Sequence, residues 1–263
     1  MENMSRRKFL KLGALSAGLV TLAGCATIKK TPVGGGEFTT SSAEEKVGKW
    51  GMFIDMEKID DIDAIAKICH EEHNVPNVPE TNHQVKWIWA EPFHALFHDI
   101  SHEGLQEKYN DVPFVTTCNH CRKPVCVKVC PTQATFQSEN GGLILQDMHR
   151  CIGCRNCMAA CPYGSRSFNF VEPRDYIDHL NPEYPTRMKG VVEKCDFCYD
   201  RLAKGETPLC AENSNGGIVV GDLDNESSEI SKLIRENMTI VRGESYGTQP
   251  CVYYKVSLAE GEA

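Results

Sequence analysis

No run of about 20 apolar residues occurs anywhere in this 263-residue chain, so no segment of it is long enough to cross a bilayer comfortably as a helix. There is no Gly-rich dinucleotide fingerprint and no P-loop, which removes the commonest phosphate cradles. No C-x2-C-H occurs either. Cys121, Cys154 and Cys198 are followed by Arg122, Arg155 and Tyr199, so covalent c-type haem attachment is not indicated. Serine, histidine and acidic residues form no recognisable catalytic triad, and no substrate-converting site is evident. Basic residues are the minority, 28 Lys+Arg against 36 Asp+Glu for a formal charge of -8, and nucleic acid is not an expected partner.

What the chain has in excess is cysteine. There are 14, and twelve of them fall into spaced groups. The two fullest are Cys118-x2-Cys121-x4-Cys126-x3-Cys130-Pro131 and Cys151-x2-Cys154-x2-Cys157-x3-Cys161-Pro162. The latter has the bacterial ferredoxin spacing, in which three thiolates on a tight loop hold one [4Fe-4S] cube and the fourth crosses to a neighbouring cube. The fourth cysteine is expected on the helix after the loop, and the Pro that follows suits a backbone with no need of that N–H. The crossing rule then gives a first set of Cys118, Cys121, Cys126 and Cys161, and a second set of Cys151, Cys154, Cys157 and Cys130. Disulfide frameworks and zinc sites also use cysteine pairs, but neither needs these spacings closed by Cys-Pro.

A third group reads Cys195-x2-Cys198-x11-Cys210, with Ser214 where its last ligand should stand. In the N-terminal half, Ile59, Ile62, Ile65 and Cys69 have the 2-2-3 ferredoxin spacing, with only the last position a cysteine. Crossing gives a third set of Cys195, Cys198, Cys210 and Cys69. It leaves a fourth site whose four positions, Ile59, Ile62, Ile65 and Ser214, are all unable to supply a thiolate. Three [4Fe-4S] clusters and one vacated site are expected. A simpler reading of the isoleucines is a buried helical stripe at i, i+3, i+6, and the two are compatible, since large apolar side chains would fill the hole left by an absent cube. Two minor alternatives are an oxygen ligand from Ser214 and a substitute thiolate from Cys251, which otherwise reads as a buried core cysteine.

Short strands lead into the ligand loops at 112–117, 143–146 and 191–194, with another at 50–55 before the vacated loop and return strands at 167–170 and 218–220. The expected fold is α+β, a set of tandem ferredoxin-like repeats with small sheets and short helices. A core at 47–224 carries an insertion at 77–111 with Trp87 and Trp89, either an interface anchor or buried aromatics. His83, His94, His98 and His102 in it, and His120 beyond, have no spacing that argues for a metal. Residues 225–263 contribute a C-terminal helix and tail; Ile230, Leu233 and Ile234 mark 226–237 as an amphipathic helix, read as a docking helix.

The N-terminus reads as an export signal over residues 1–24. Ser5-Arg6-Arg7-Lys8-Phe9-Leu10-Lys11 precedes a short, modestly apolar stretch, the pattern of the twin-arginine route. That route carries folded cargo, as a protein with cubes assembled inside the cell requires. Leu22-Ala23-Gly24-Cys25 has the form of a bacterial lipobox, with Cys25 as the lipidated residue or, alternatively, incidental to ordinary cleavage. A flexible tether, 25–46, follows. Without residues 1–24 the chain has 24 Lys+Arg and 35 Asp+Glu, a formal charge of -11.

The double Cys-Pro motifs, Cys195-Asp-Phe-Cys198-Tyr-Asp-Arg-Leu-Ala-Lys-Gly205 and Gly247-Thr-Gln-Pro250-x-Val-Tyr-Tyr254 resemble the small-subunit family of dimethyl sulfoxide reductase and related membrane oxidoreductases. Further segments, His73-Asn-Val-Pro76, Lys86-Trp-Ile-Trp89, Ala160-Cys-Pro-Tyr-Gly-Ser-Arg-Ser-Phe168 and Pro185 to Cys195, are similar to the iron–sulfur subunits of Dsr-type complexes of sulfur metabolism. The resemblance implies a peripheral electron-transfer subunit on the periplasmic side of the inner membrane. Its partners would be a multihaem cytochrome c, an NrfD-type quinone-interacting membrane subunit and other subunits of the complex. The second reading is a subunit of a periplasmic molybdopterin oxidoreductase, and a free ferredoxin-like carrier is the third. This chain departs from the family's four-cluster pattern at Ile59, Ile62, Ile65 and Ser214.

Overall fold

The structure is a computed structural model and describes residues 47–258. The expected export signal, Cys25 and the tether lie outside the described residues. Trp50–Ile54 forms β1, an apolar strand buried from Gly51 onward because it is covered on both edges. On one side it pairs antiparallel with β8 (Ile218–Asp222), Trp50 opposite Asp222 and Ile54 opposite Ile218. On the other it pairs in parallel with β10 (Val252–Lys255), and β9 (Thr239–Ile240) lies beyond, giving the order β8-β1-β10-β9.

Three two-stranded ribbons complete the β-structure: β2 (Ile88–Pro92) with β3 (Pro113–Thr117), β4 (Thr135–Gln137) with β5 (Ile144–Gln146), and β6 (Ser167–Phe168) with β7 (Val192–Glu193). Every strand expected before a ligand loop forms, within a residue or two at its ends. The pairing order differs from a simple tandem array. β1 and β8 flank the Ile59 segment and the Cys195 group, while β3 to β6 flank the two Cys-Pro groups and join the rest through β2 and β7. The unit that carries the two Cys-Pro groups is thus spliced into the connection between β1 and β8.

The helices are short. In chain order they are α1 (Ile62–Glu72), α2 (Phe93–Leu96), α3 (Glu103–Tyr109), α4 (Val125–Lys128), α5 (Asn156–Ala160), α6 (Tyr199–Ala203), α7 (Leu209–Glu212) and α8 (Glu229–Glu236). None among the described residues is long and apolar enough to cross a membrane. α1 is capped by Asp61, whose carboxylate accepts from the Ala64 N–H at 2.9 Å, and it buries Ile62, Ile65 and Cys69 on one face.

Residues 77–111 pack into the fold through β2 and an aromatic cluster. Phe93, Phe97, Tyr109, Phe114 and Tyr254 have ring centroids 4.8 to 6.0 Å apart, tying this stretch to the C-terminal strand. Trp87 is buried, and its indole N–H donates to Glu193 at 2.8 Å. The helix expected over 226–237 forms as α8, started by Ser228 accepting from the Ser231 N–H. Its apolar face meets the protein's own sheet: Ile230 is fully buried over Gly221, where even a Cβ would approach to 2.9 Å.

Candidate cluster-binding site

In each ligand loop the residue immediately before the second cysteine lies in the left-handed region. These are His120 (φ 41°) before Cys121, Gly153 (φ 68°) before Cys154 and Phe197 (φ 70°) before Cys198. Non-glycine residues there carry strain that surrounding structure must impose, and such strain gathers at functional sites. Gly153 answers a close approach as well, since a Cβ would come within 2.3 Å of the Gly190 carbonyl. A helix then begins one residue before the third cysteine in all three groups: α4 before Cys126, α5 before Cys157 and α7 before Cys210. Cys130 and Cys161 lie just past the ends of α4 and α5, whereas Cys69 stands within α1. The expectation that the fourth cysteines sit on helices therefore holds only for Cys69; the helices of the other two runs are too short to include them.

The structure gathers the cysteines as follows. Cys130, Cys151, Cys154 and Cys157 line one small cavity with Thr135, Arg155 and Val192. Cys69 is buried beside Cys195, Cys198 and Cys210; burial pushes its thiol pKa well up and those three neighbours push it further. Burial likewise raises Cys210 to about 11, and raises Cys195 to about 12 with Asp196 adding to the effect. Cys121 is pushed up to about 12 by burial and then by Cys118, with Cys126 also near, and Cys161 faces Cys118. All thirteen cysteines among the described residues are free thiols. Buried thiols crowded together resist ionisation, and bound metal ions are the charges that reverse this.

The donor set fits iron–sulfur clusters on further grounds. Backbone N–H groups point at sulfur: Val192 at Cys151 (3.5 Å), Phe197 at Cys195 (3.4 Å) and Thr135 at Cys130 (3.4 Å). The Cys130 thiol is held below its ordinary pKa; burial opposes this, and the Thr135 N–H with the Thr132 contacts prevails. Two buried polar side chains in these loops have atoms without protein partners, Nη2 of Arg166 and both Nδ2 and Oδ1 of Asn119. Asn119 lies between Cys118 and Cys121. Cluster sulfides would accept from such donors.

The four non-cysteine positions behave differently. Ile62 and Ile65 are buried on α1 in the same apolar cluster as Ile218, with Ile59 packed against it. Ile59 and the Ser214 backbone both close on Gly217, where a Cβ would meet Ile59 at 2.5 Å and the Ser214 carbonyl at 3.0 Å. The Ser214 hydroxyl donates to the Ala211 carbonyl and accepts from the Ile218 N–H, both at 2.8 Å. It closes a turn. Cys251 is buried beside Cys121, Lys49 and Arg122, on the side of the first set.

Sequence reasoning missed a polar shell around Cys69. His73 Nδ1 lies 2.7 Å from the Cys69 carbonyl oxygen and 3.7 Å from its sulfur, and His73, Asp196 and Cys198 place ligand atoms within 4.8 Å of one another. The Asp196 oxygens already accept from the Cys198 N–H (2.8 Å) and the Tyr184 hydroxyl (2.7 Å), so the carboxylate is engaged in supporting the loop. Behind it, Arg187 and Glu193 form a buried ion pair at 2.6 Å, with Arg187 also donating to the Asn74 carbonyl at 2.8 Å. The position of His73, four residues after Cys69 on one helix, was the available signal. His83, His94, His98 and His102 are in no such cluster among the described residues.

Residues 111–172, which hold both Cys-Pro groups, match the family described as 4Fe-4S dicluster domain. Across nearly the whole chain the sequence is 38% identical to an Hdr-like menaquinol oxidoreductase iron–sulfur subunit 1 from Archaeoglobus fulgidus, covering 95% of this chain and 97% of that protein. It is 34% identical to the iron–sulfur cluster-binding subunit of a menaquinone reductase from Nitratidesulfovibrio vulgaris (81% and 91% covered). It is 35% identical to the iron–sulfur subunit ArrB of an arsenate respiratory reductase from a Shewanella species (78% and 94% covered).

Proposed function

The chain belongs to the family of [4Fe-4S] electron-transfer subunits of oxidoreductases, and from that premise we propose that it is a three-cluster wire in a membrane-associated complex. The ligand sets are Cys118, Cys121, Cys126 and Cys161; Cys151, Cys154, Cys157 and Cys130; and Cys195, Cys198, Cys210 and Cys69. Ile59, Ile62, Ile65 and Ser214 occupy a site that holds no cube. The observation that carries this reading is the contrast between three left-handed cysteine turns and the apolar packing at the fourth position. Bound clusters supply one-electron redox chemistry. The protein's own residues space them, insulate them and tune their potentials through hydrogen bonds and charge.

The proposed setting is a Dsr-type complex, with the chain exported by the twin-arginine route and held at the periplasmic face through a lipid on Cys25. There it would pass electrons between a cytochrome c and an NrfD-type membrane subunit. The relatives whose names carry a menaquinol oxidoreductase and a menaquinone reductase support a quinone-linked complex. A second reading, a subunit of a molybdopterin oxidoreductase, draws on the arsenate and tetrathionate reductase relatives. Iron and acid-labile sulfide in anaerobically isolated protein test the cluster count. Three cubes require about twelve of each by the four-iron stoichiometry; about sixteen would overturn the vacated site. Purification in mild detergent, with identification of co-purifying subunits, separates a haem-bearing partner from a molybdopterin-bearing one.

A further inference from the structure

Buried charge is distributed unevenly around the three cysteine sets. The first set has two buried cations against its thiols. Lys49, 2% exposed, lies beside Cys118 and Cys121 and donates to the Gly142 carbonyl. Arg166, 5% exposed, lies against Cys126 of the first set and Cys157 of the second; Thr135 and Gln146 anchor its Nη1 at 3.2 Å each, and its Nη2 has no protein partner. Lys194, 2% exposed, belongs to the third set: it donates to the carbonyls of Cys195 (2.6 Å) and Ile144, bears on the Cys195 thiol, and lies 3.5 Å from His120. His120 accepts the Ile144 N–H on Nδ1 at 3.0 Å, which leaves its proton on Nε2, facing the Cys195 carbonyl.

The third set has a carboxylate. Asp196, 8% exposed, follows Cys195 and bears on Cys69, Cys195 and Cys198 together. The second set shares Arg166, but Arg150 and Arg155 near it are exposed, where water and salt screen their charge. Reduction adds one negative charge to a cluster, so a buried cation favours it and a buried carboxylate opposes it.

We infer that Lys49 and Arg166 make the first set an electrostatic well with the most positive reduction potential of the three, while Asp196 offsets Lys194 and lowers the potential at the third set. An electron arriving from either end comes to rest at the first set, which neighbours both others through Cys118 beside Cys195 and Cys126 beside Cys157.

This inference rests on the proposed ligand sets, and EPR-monitored redox titration of the reconstituted full chain tests it separately from them. Iron content and the number of reduced signals report on the sets; midpoint potentials report on the well. In unaltered protein the signal lost in Cys121→Ser must be the first to appear on reduction. Lys49→Gln should lower the reduced-to-oxidised ratio of that cluster at fixed poise by tenfold or more, about 59 mV for one electron, with the other two nearly unmoved. Asp196→Asn should move only the third-set cluster, in the opposite direction. A full complement of iron with the first-set cluster reducing last, or unchanged in Lys49→Gln, overturns the inference and leaves the ligand sets standing. If a variant fails to hold iron, the order of reduction in the unaltered protein still decides.

Discussion

The Cys151 loop and the Ile59 segment share one spacing and have opposite backbones. In the Cys151 loop the chain swings through Gly153 and Arg155, both at positive φ, and helix begins only at Asn156, one residue before the third cysteine. In the Ile59 segment the residue before the second position, Asp61, is extended at φ -142° and acts as an N-cap, and helix begins at Ile62, three residues before Ile65. A left-handed turn points three sulfurs into one space. An N-cap and an early helix point three isoleucines into a core. If the fourth site is vacated as proposed, it differs from a ligand loop by more than its thiolates: helix stands where the strained turn would be, and apolar side chains occupy the volume.

Cys69→Ala makes the sharpest cut across that comparison, because this is the one residue of the Ile59 run proposed to serve a cluster. Loss of about four irons per chain is expected, with the cavity set around Cys151 unaffected; iron analysis with EPR of the reduced protein reads it. Ile65→Ala tests the other half. It should cost about 2–5 kcal/mol by denaturant unfolding of the loaded protein, as a core truncation does, without altering iron per folded chain. Ser214→Ala should have the smallest effect, about 1–3 kcal/mol for leaving the Ile218 N–H unpaired, and no iron should be lost. Release of iron from Ser214→Ala would show that Ser214 is a ligand and that the two segments are less different than their backbones indicate.

Much of this was legible from spacing. Cys-x2-Cys pairs closed by Cys-Pro identify their loops because the chemistry fixes the intervals, and the short strands before them follow from β-branched and aromatic runs. What spacing could not supply was anything decided across long separations. Nothing local marks β10 as the parallel neighbour of β1, or shows that Trp87 meets Glu193 across the molecule. Ile230 reads as the face of a docking helix until Gly221 is placed beneath it. The His73–Asp196 support is invisible for the same reason, since its members stand on either side of the spliced unit. The left-handed turns escaped as well, because only Gly153 among the three turn residues advertises them by type.

The parallel pairing of β10 with β1 also dictates a timetable for manufacture. Residues 113–168, with both Cys-Pro groups, are contiguous and are complete well before synthesis ends. The central strand of the other sheet is not made until Lys255. Strand pairing over such separations is slow and comes late. Until Val252–Lys255 is made, β1 has only β8 beside it and β9 has no neighbour, so the four-stranded sheet lacks one of its two inner strands. β10 acts as an inspection stamp on that sheet.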